Sequence, residues 1–221
     1  ALLALQPARH DHDRTDHGRR EQDASISEKI AELSKLGPAP YYISADATDY
    51  GSLRQAYMEI KQRHSDIHGV VHSALVLQDK SLLNMDEQMF RTSLSAKIDI
   101  SVRIQQVFSE EPLDFIVFFS SLMSFAKAPG QSNYAAGCVF KDAFAHQLSR
   151  ELPCLVKVMN WGYWGSVGVV SSDAYRDRMS QWGMDSIEPE EGIRAIQTLL
   201  GNSVNQMVLI KTNAFFQKQE I

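Results

Sequence analysis

The sequence predicts an α/β fold, a doubly wound parallel sheet covered by helices. Two observations carry this prediction: strand-like and helical segments alternate along the chain, and the strand-like segments are apolar at nearly every position. Continuous apolarity at strand length indicates a strand that is buried on both faces, as in parallel sheets. The 221 residues suffice for one full domain.

The amino-terminal part begins with a segment that has no hydrophobic period. Residues 1–22 start with a short apolar run and continue with mixed His, Asp and Arg, which predicts an extended start followed by a solvated polar leader. Ser25 and Glu28 then form a capping box ahead of an amphipathic helix. Gly37 and Pro38 are typical of a helix end, so this first helix is predicted to stop there.

The other elements follow in strict alternation. Asp49 is the predicted amino-terminal cap of the helix over 50–64. Ser132 is the predicted cap of the helix over 132–150. In chain order the sequence predicts strand 41–45, helix 50–64, strand 68–74, helix 86–109, strand 114–121, helix 132–150, strand 155–161, helices 173–182 and 189–200, and strand 206–211.

Composition excludes several classes of function. Lys and Arg number 22 against 27 Asp and Glu, a net charge of -5, so binding to nucleic acid is not expected. Apolar runs of about six residues are far shorter than a membrane-spanning helix, and two cysteines without a CxxC pair exclude a zinc finger. No metal site is predicted, because the arginines mixed with His10, His12 and His17 would repel a cation. The chain is predicted to be soluble and cytoplasmic, since unpaired thiols fit a reducing compartment.

Candidate functional residues follow the predicted strands, because ligands of such sheets bind outside the carboxyl ends of the strands. The strand over 68–74 ends in Ser73 and Ala74, and that over 114–121 ends in Ser121. Tyr134 stands where small residues open a helix and can therefore face a ligand. The segment around Ser132 lacks the closing glycine of a GxSxG nucleophile turn, which disfavours a hydrolase.

Three segments carry a resemblance to a known family. The run FFSSLMSFAKAPGQSNYAAGCVFKDAFAHQL resembles the core of short-chain dehydrogenase/reductases, specifically the ketoreductase domains of modular polyketide synthases. The upstream run GVVHSALVLQDKSLLNMDEQMFRTSLSAKIDISVRI and the downstream run NWGYWGSVGV are similar to the same family. The resemblance covers about residues 23–211 and implies a polar leader over 1–22 and a Rossmann-like ketoreductase domain over 23–221.

The resemblance implies an activity and a set of site residues. The family reduces a β-ketoacyl thioester, carried on an acyl carrier protein within a multidomain synthase, with NADPH. By resemblance Tyr134 is the general acid, Ser121 binds the reacting carbonyl oxygen, and Lys97 lies beside Tyr134 and the cofactor ribose. A tyrosine with its ordinary pKa of about 10 is a poor acid–base group at neutral pH. A neighbouring cation is expected to lower this pKa. The implied cofactor-binding residues are Asp46 and Ala47 at the adenine, Ser73 and Ala74 at the ribose, and Asn160, Trp161 and Gly162 on the nicotinamide side.

Position 138 departs from the family pattern. Most short-chain reductases carry their lysine four residues after the tyrosine, one helical turn away. The polyketide-synthase branch places the lysine on the preceding helix, like Lys97, and has Asn at the vacated position. Here that position is Cys138. A thiol is a weak donor and acceptor, so a water or backbone contact that Asn holds is expected to be lost.

A second set of residues bears on the configuration of the product. Family members that give the D-alcohol show a Leu-Asp-Asp motif and a Pro and an Asn just before the tyrosine, whereas the opposite type has a Trp eight residues before it. Asp79 keeps the last aspartate, Pro129 and Asn133 match, and Ala126 stands at the Trp position. The resemblance therefore favours the D-alcohol type.

One element of the family is missing from the sequence. No G-x-G-x-x-G cluster or similar turn occurs before residue 37, although the family holds the cofactor diphosphate on such a turn. We therefore expect an N-terminally incomplete domain that binds NADPH weakly. Two alternatives remain open: a non-catalytic remnant that packs or docks within a synthase, and a stand-alone reductase of small carbonyl compounds.

Overall fold

A computed structural model describes residues 2–4, 16–126, 128–167 and 173–212, with the backbone alone for residues 2–4, 16–23, 25 and 174. It confirms the predicted α/β alternation. The helices are α1 (Asp16–Leu33), α2 (Tyr50–Arg63), α3 (Glu87–Phe108), α4 (Ser132–Glu151), α5 (Asp173–Gln181) and α6 (Pro189–Gly201). The strands are β1 (Leu2–Ala4), β2 (Gly69–His72), β3 (Phe115–Ser121), β4 (Leu155–Trp161), β5 (Met184–Asp185), β6 (Gln206–Leu209) and β7 (Lys211–Thr212).

Five strands form one parallel sheet in the order β1-β2-β3-β4-β6. β3 and β4 pair along their whole length, so that Ser121 lies opposite Trp161. The carboxyl ends of β2, β3 and β4 therefore meet at one edge of the molecule, as the sequence predicts. β5 and β7 form a separate antiparallel pair.

The sheet separates two hydrophobic cores. Val156 and Val158 of β4 belong to the larger core, which they share with residues of α2, α3 and α4. Met159 and Trp161 point to the opposite face and pack in a smaller core with residues of α6. This alternation explains the apolar run of β4, because both of its faces are covered. None of the described helices is long and apolar enough to span a membrane.

Two predictions for the amino-terminal part are wrong. Residues 41–45 form no strand, although Ile43 packs against the larger core. A strand needs a hydrogen-bonded neighbour, and the edge position next to β2 is taken by β1. The first helix begins at Asp16 rather than at Ser25, so it crosses the predicted boundary at residue 22. Arg, Glu, Gln and Ala in this stretch favour helix, which extends past the capping box.

Two local predictions also need correction. The predicted strand over 206–211 is divided at Ile210, and its halves pair with different strands, β4 and β5. Gln131, not Ser132, is the cap residue of α4 and makes no side-chain capping bond. By contrast Asp49 caps α2 as predicted, since its carboxylate accepts a 2.7 Å hydrogen bond from the Ser52 N–H.

Candidate active site

A cavity of about 500 Å³ opens at the carboxyl ends of β2, β3 and β4. Predicted site residues from four different elements meet in its lining, at the strand ends where ligands of such sheets bind. Those that line it are Ser73, Ala74, Lys97, Ser121, Tyr134, Trp161 and Gly162.

Lys97 and Tyr134 are in direct contact. The Lys97 Nζ lies over the face of the Tyr134 ring, 4.1 Å from its centre, and the lysine side chain is buried. Gly137 makes this approach possible, because a Cβ there would lie 2.6 Å from Lys97 Cδ. The lysine on α3 thus lies beside Tyr134, as the family resemblance implies.

The surroundings of the Tyr134 hydroxyl keep it protonated. Burial raises the pKa of Tyr134, and the neighbouring Cys138 raises this pKa further. The hydroxyl of Ser121 acts against them, because it offers the phenolate a hydrogen bond and lowers the pKa. Asp79 contributes a smaller increase through its negative charge. The pKa of Tyr134 is therefore raised, not lowered as expected for a tyrosine beside a cation, and the phenol holds its proton at neutral pH.

Ser121 stands at the very end of β3. Its Oγ accepts a 3.2 Å hydrogen bond from the Met123 N–H, at the start of a short 3-10 helix over Leu122–Ser124. The strand end and this turn direct the Ser121 side chain to the cavity that Tyr134 also lines. A hydroxyl from β3 and a phenol from α4 thus reach the same space.

Cys138 lies one helical turn beyond Tyr134 on α4 and has no exposed surface. It does not line the cavity, and its effect in the structure is to raise the pKa of the adjacent Tyr134. The predicted loss of a contact that Asn would make at this position stays a prediction.

The three residues predicted on the nicotinamide side, Asn160, Trp161 and Gly162, differ in their position relative to the cavity. Trp161 and Gly162 line the cavity, whereas the Asn160 side chain is fully buried and used within the protein. Its Nδ2 donates to Ser121 O at 3.0 Å and to Asp142 Oδ2 at 2.9 Å, and its Oδ1 accepts from Gln206 Nε2 at 2.8 Å. The Asn160 side chain thus joins β3, β4 and α4, and its predicted cofactor contact stays a prediction.

Asp46 and Ala47 lie apart from this cavity. The Asp46 carboxylate accepts hydrogen bonds from the Thr48 N–H at 2.8 Å and from the Thr48 hydroxyl at 2.7 Å, which closes the turn ahead of α2. Ala47 is part of the larger core. Their predicted contact with an adenine stays a prediction.

The three predicted stereocontrol residues lie in the loop after β2 (Asp79), in the loop before α4 (Pro129) and in the first turn of α4 (Asn133). The Asp79 carboxylate accepts a 2.6 Å hydrogen bond from Gln131 Nε2, and Asn133 Nδ2 donates to Gln78 O at 3.0 Å. Pro129 and Asp79 line a smaller cavity of about 170 Å³ beside the main one. Asn133 thus holds the loop that carries Asp79 against the start of α4.

The sequence did not predict the apolar wall of the cavity, which lies outside the predicted site residues. This wall comes from the carboxyl-terminal third of the chain, and its members share only an apolar or aromatic side chain. They are Tyr163, Trp164, Tyr175, Met179, Met184, Ile193 and Ile196. The aromatic run NWGYWG was the one available signal, because aromatic residues are common in ligand cavities.

The sequence also missed two basic residues behind the cavity. His72 and Lys141 are fully buried, and burial lowers the pKa of each well below its ordinary value. The charge of Lys97 lowers both pKa values further. Lys141 shares a helix face with Tyr134 and Cys138, since it lies seven and three residues beyond them. That spacing was the signal in the sequence.

Comparison with known families decides the relationship. The family model described as KR domain matches residues 15–166. The chain belongs to the KR domain family. Among relatives, polyketide synthase PksN of Bacillus subtilis (strain 168) is 57% identical over 194 residues, covering 88% of the chain and 4% of the synthase. Polyketide synthase ThaG of Burkholderia thailandensis is 48% identical over 193 residues, 87% of the chain and 3% of the synthase.

This KR domain therefore spans a small fraction of the synthases it matches. Among solved structures, a ketoreductase domain from the bacillaene assembly line superposes with a TM-score of 0.77 at 23% identity. That match covers 99% of this chain and 51% of the other. The Rossmann-like fold is thus established for the chain.

Proposed function

We propose that this KR domain catalyses the NADPH-dependent reduction of a β-ketoacyl thioester, carried on an acyl carrier protein, to the β-hydroxyacyl thioester of D configuration. The contact between the Lys97 ammonium and the Tyr134 ring, in a cavity that Ser121 also lines, carries the proposal. An acid, a cation beside it and a second hydrogen-bond donor are the groups that carbonyl reduction requires.

The residues of the cavity fit the nicotinamide half of the cofactor. Ser73, Ala74 and Gly162 give its walls little bulk at the carboxyl ends of β2 and β4, where dinucleotides bind in this fold. Lys97 would hold the adjoining ribose. The bound nicotinamide would supply a hydride to the carbonyl carbon. For the diphosphate the sequence offers no equivalent support, since residues 5–15 after β1 contain no glycine.

Each protein group has a separate task in the reaction. The Tyr134 hydroxyl donates its proton to the substrate carbonyl oxygen as negative charge develops there. The Ser121 hydroxyl donates a hydrogen bond to the same oxygen, which stabilises that charge. Lys97 stabilises the phenolate that Tyr134 becomes, because a cation over the ring interacts more strongly with an anion than with the neutral phenol.

The rest of the cavity suits an acyl chain. Its far wall is apolar and its mouth is open to solvent, as a substrate that arrives on a carrier protein requires. The bonds of Gln131 to Asp79 and of Asn133 to Gln78 fix the loop at one side of the mouth. We infer that this loop directs the chain so that hydride reaches one face of the ketone, giving the D-alcohol.

The test replaces Tyr134 by Phe, which removes the acid and keeps the ring. Because the sequence has no glycine-rich turn, turnover is measured in a complemented chain, the chain fused behind the segment of a KR domain that carries this turn. Tyr134→Phe is expected to lower NADPH oxidation with a β-ketoacyl thioester at least ~10²-fold. Tyr57→Phe is the control, because it removes a 2.7 Å hydrogen bond to Glu111 away from the cavity. Activity of Tyr134→Phe within a few-fold of wild type would contradict the proposal.

A second candidate is a non-catalytic unit that keeps the shell of the fold for packing or docking within a synthase. The glycine-free stretch after β1 favours it. The two candidates differ in one measurable respect. A complemented chain that binds NADPH but reduces no β-ketoacyl thioester would support the non-catalytic unit.

A further inference from the structure

Lys141 is a charged residue type in an unusual place. It is fully buried on α4, and its Nζ donates a 3.0 Å hydrogen bond to the carbonyl oxygen of Phe119 in β3. Phe119 lies two residues before Ser121, and Lys141 lies two helical turns after Tyr134. The bond therefore joins the two elements that carry the proposed catalytic hydroxyls.

The next residue on α4 makes a second connection to the same strand end. Asp142 Oδ2 accepts a 2.9 Å hydrogen bond from Asn160 Nδ2, and the same Nδ2 donates to Ser121 O at 3.0 Å. Gln206 Nε2 also donates to Asp142 Oδ2, at 3.0 Å, which fixes the carboxylate from the β6 side. Asp142 and Asn160 are both buried, so water competes little for these bonds.

Folding alone gives no reason for a lysine at this position. Burial and the charge of Lys97 lower the pKa of Lys141, so the side chain loses favourable hydration in the folded protein. Buried ionisable groups can often be replaced by apolar residues of similar size without loss of stability. A methionine would fill the same space. The hydrogen bond to the strand that ends in Ser121 is what the amine adds.

We propose that Lys141 and Asp142 form a clamp that fixes Ser121 relative to Tyr134, which makes Lys141 a positioning residue for the reaction. The inference rests on the proposed function, because the clamp matters only where both hydroxyls must reach one carbonyl oxygen. Small displacements of such groups are costly in rate, since catalysis depends on their geometry.

The chain provides a matched control for the test. Lys157 is also a buried lysine that donates to backbone carbonyls, at 2.9 Å to Asn202 O and 2.7 Å to Val204 O. These acceptors lie in the loop between α6 and β6, at the opposite end of the sheet from the cavity. Both Lys141→Met and Lys157→Met thus remove hydrogen bonds from a buried amine to backbone carbonyls. The bond of Lys141 lies near Ser121, and those of Lys157 lie far from it.

The first measurement is amide hydrogen exchange in the 221-residue chain, without cofactor. Lys141→Met is expected to speed exchange over residues 120–125 about tenfold while the urea midpoint stays equal or rises. Lys157→Met is expected to affect residues 202–206 instead. Unchanged exchange over 120–125 in Lys141→Met would overturn the clamp. Should Lys141→Met not fold, Lys141→Leu and Lys157→Leu, which also have no donor, replace the pair.

The second measurement is a double-mutant cycle in the complemented chain. Lys141→Met is expected to lower kcat about tenfold with KM unchanged within twofold, and to have no further effect in the Ser121→Ala background. An equal loss of kcat in both backgrounds would overturn the inference, because Lys141 would then not act through Ser121. If the wild-type complemented chain reduces no thioester, the proposed function fails and the positioning role falls with it. Exchange over 120–125 still decides whether the clamp exists.

Discussion

Gly137→Ala is a direct test of the contact between Lys97 and Tyr134. The added Cβ would lie 2.6 Å from Lys97 Cδ and 3.3 Å from Lys97 Cβ, so the lysine must move away from α4. Lys97 is buried between the two helices, which leaves it little room to adjust without losing its position over the Tyr134 ring.

Two opposing terms set the change in stability. Alanine is favoured over glycine inside a helix by about 1 kcal/mol, whereas overpacking a core costs about 1–3 kcal/mol. The free energy of unfolding should therefore fall by about 0–2 kcal/mol. The effect on turnover is larger, because only the extra stabilisation that a cation gives the phenolate over the neutral phenol changes kcat. A neighbouring opposite charge typically favours the ionised form by about 1–3 pKa units, and each unit is about a factor of ten, so kcat is expected to fall at least about tenfold.

The assay is NADPH oxidation by the complemented chain at saturating thioester, with urea unfolding as the measure of stability. Gly201→Ala is the control, because a Cβ at the end of α6 meets no described atom within 4 Å. The control should leave kcat unchanged. The reasoning is refuted if Gly137→Ala keeps kcat within twofold of wild type while remaining folded.

Three further predictions concern other parts of the site. Cys138→Asn should raise or preserve turnover of the complemented chain without changing the configuration of the alcohol, and a marked loss would show that the thiol has a role of its own. Calorimetric titration of the chain alone should show very weak NADPH binding, because no glycine-rich turn is present; micromolar affinity would contradict this. Burial lowers the pKa of His72, so below about pH 6.5 the unfolded chain binds a proton that the folded chain does not, and stability falls with falling pH. His72→Leu should flatten this dependence in urea unfolding by up to ~1.4 kcal/mol per pH unit, and an unchanged slope would count against the argument.

The sequence predicted the parts of the structure that depend on local chemistry. Apolar runs located β2, β3 and β4, and the Asp49 cap marked the start of α2. The convergence of Ser121 and Tyr134 followed from their places at a strand end and a helix start. The position of Lys97 beside them came from the family resemblance, since spacing alone leaves a helix lysine exposed.

The parts that failed depend on distant partners. Residues 41–45 have strand-like composition, yet a strand exists only where a neighbouring backbone pairs with it. The buried hydrogen bonds of the Asn160 side chain to Asp142 and Gln206 were likewise not predicted from the sequence. Both residues come from elements far along the chain, and no short-range pattern indicates such contacts.

The cavity has two sides of different origin. The proposed catalytic groups come from α3, β3 and α4, whereas α5 and α6 provide much of the apolar wall. The KR family model matches up to residue 166, before α5 begins. If the proposed function holds, substitutions at Ile193 or Met179 change the shape of the acyl site from a part of the chain that does not carry Tyr134. An engineer who seeks new substrate scope would therefore diversify 175–196 and keep 97–142 constant.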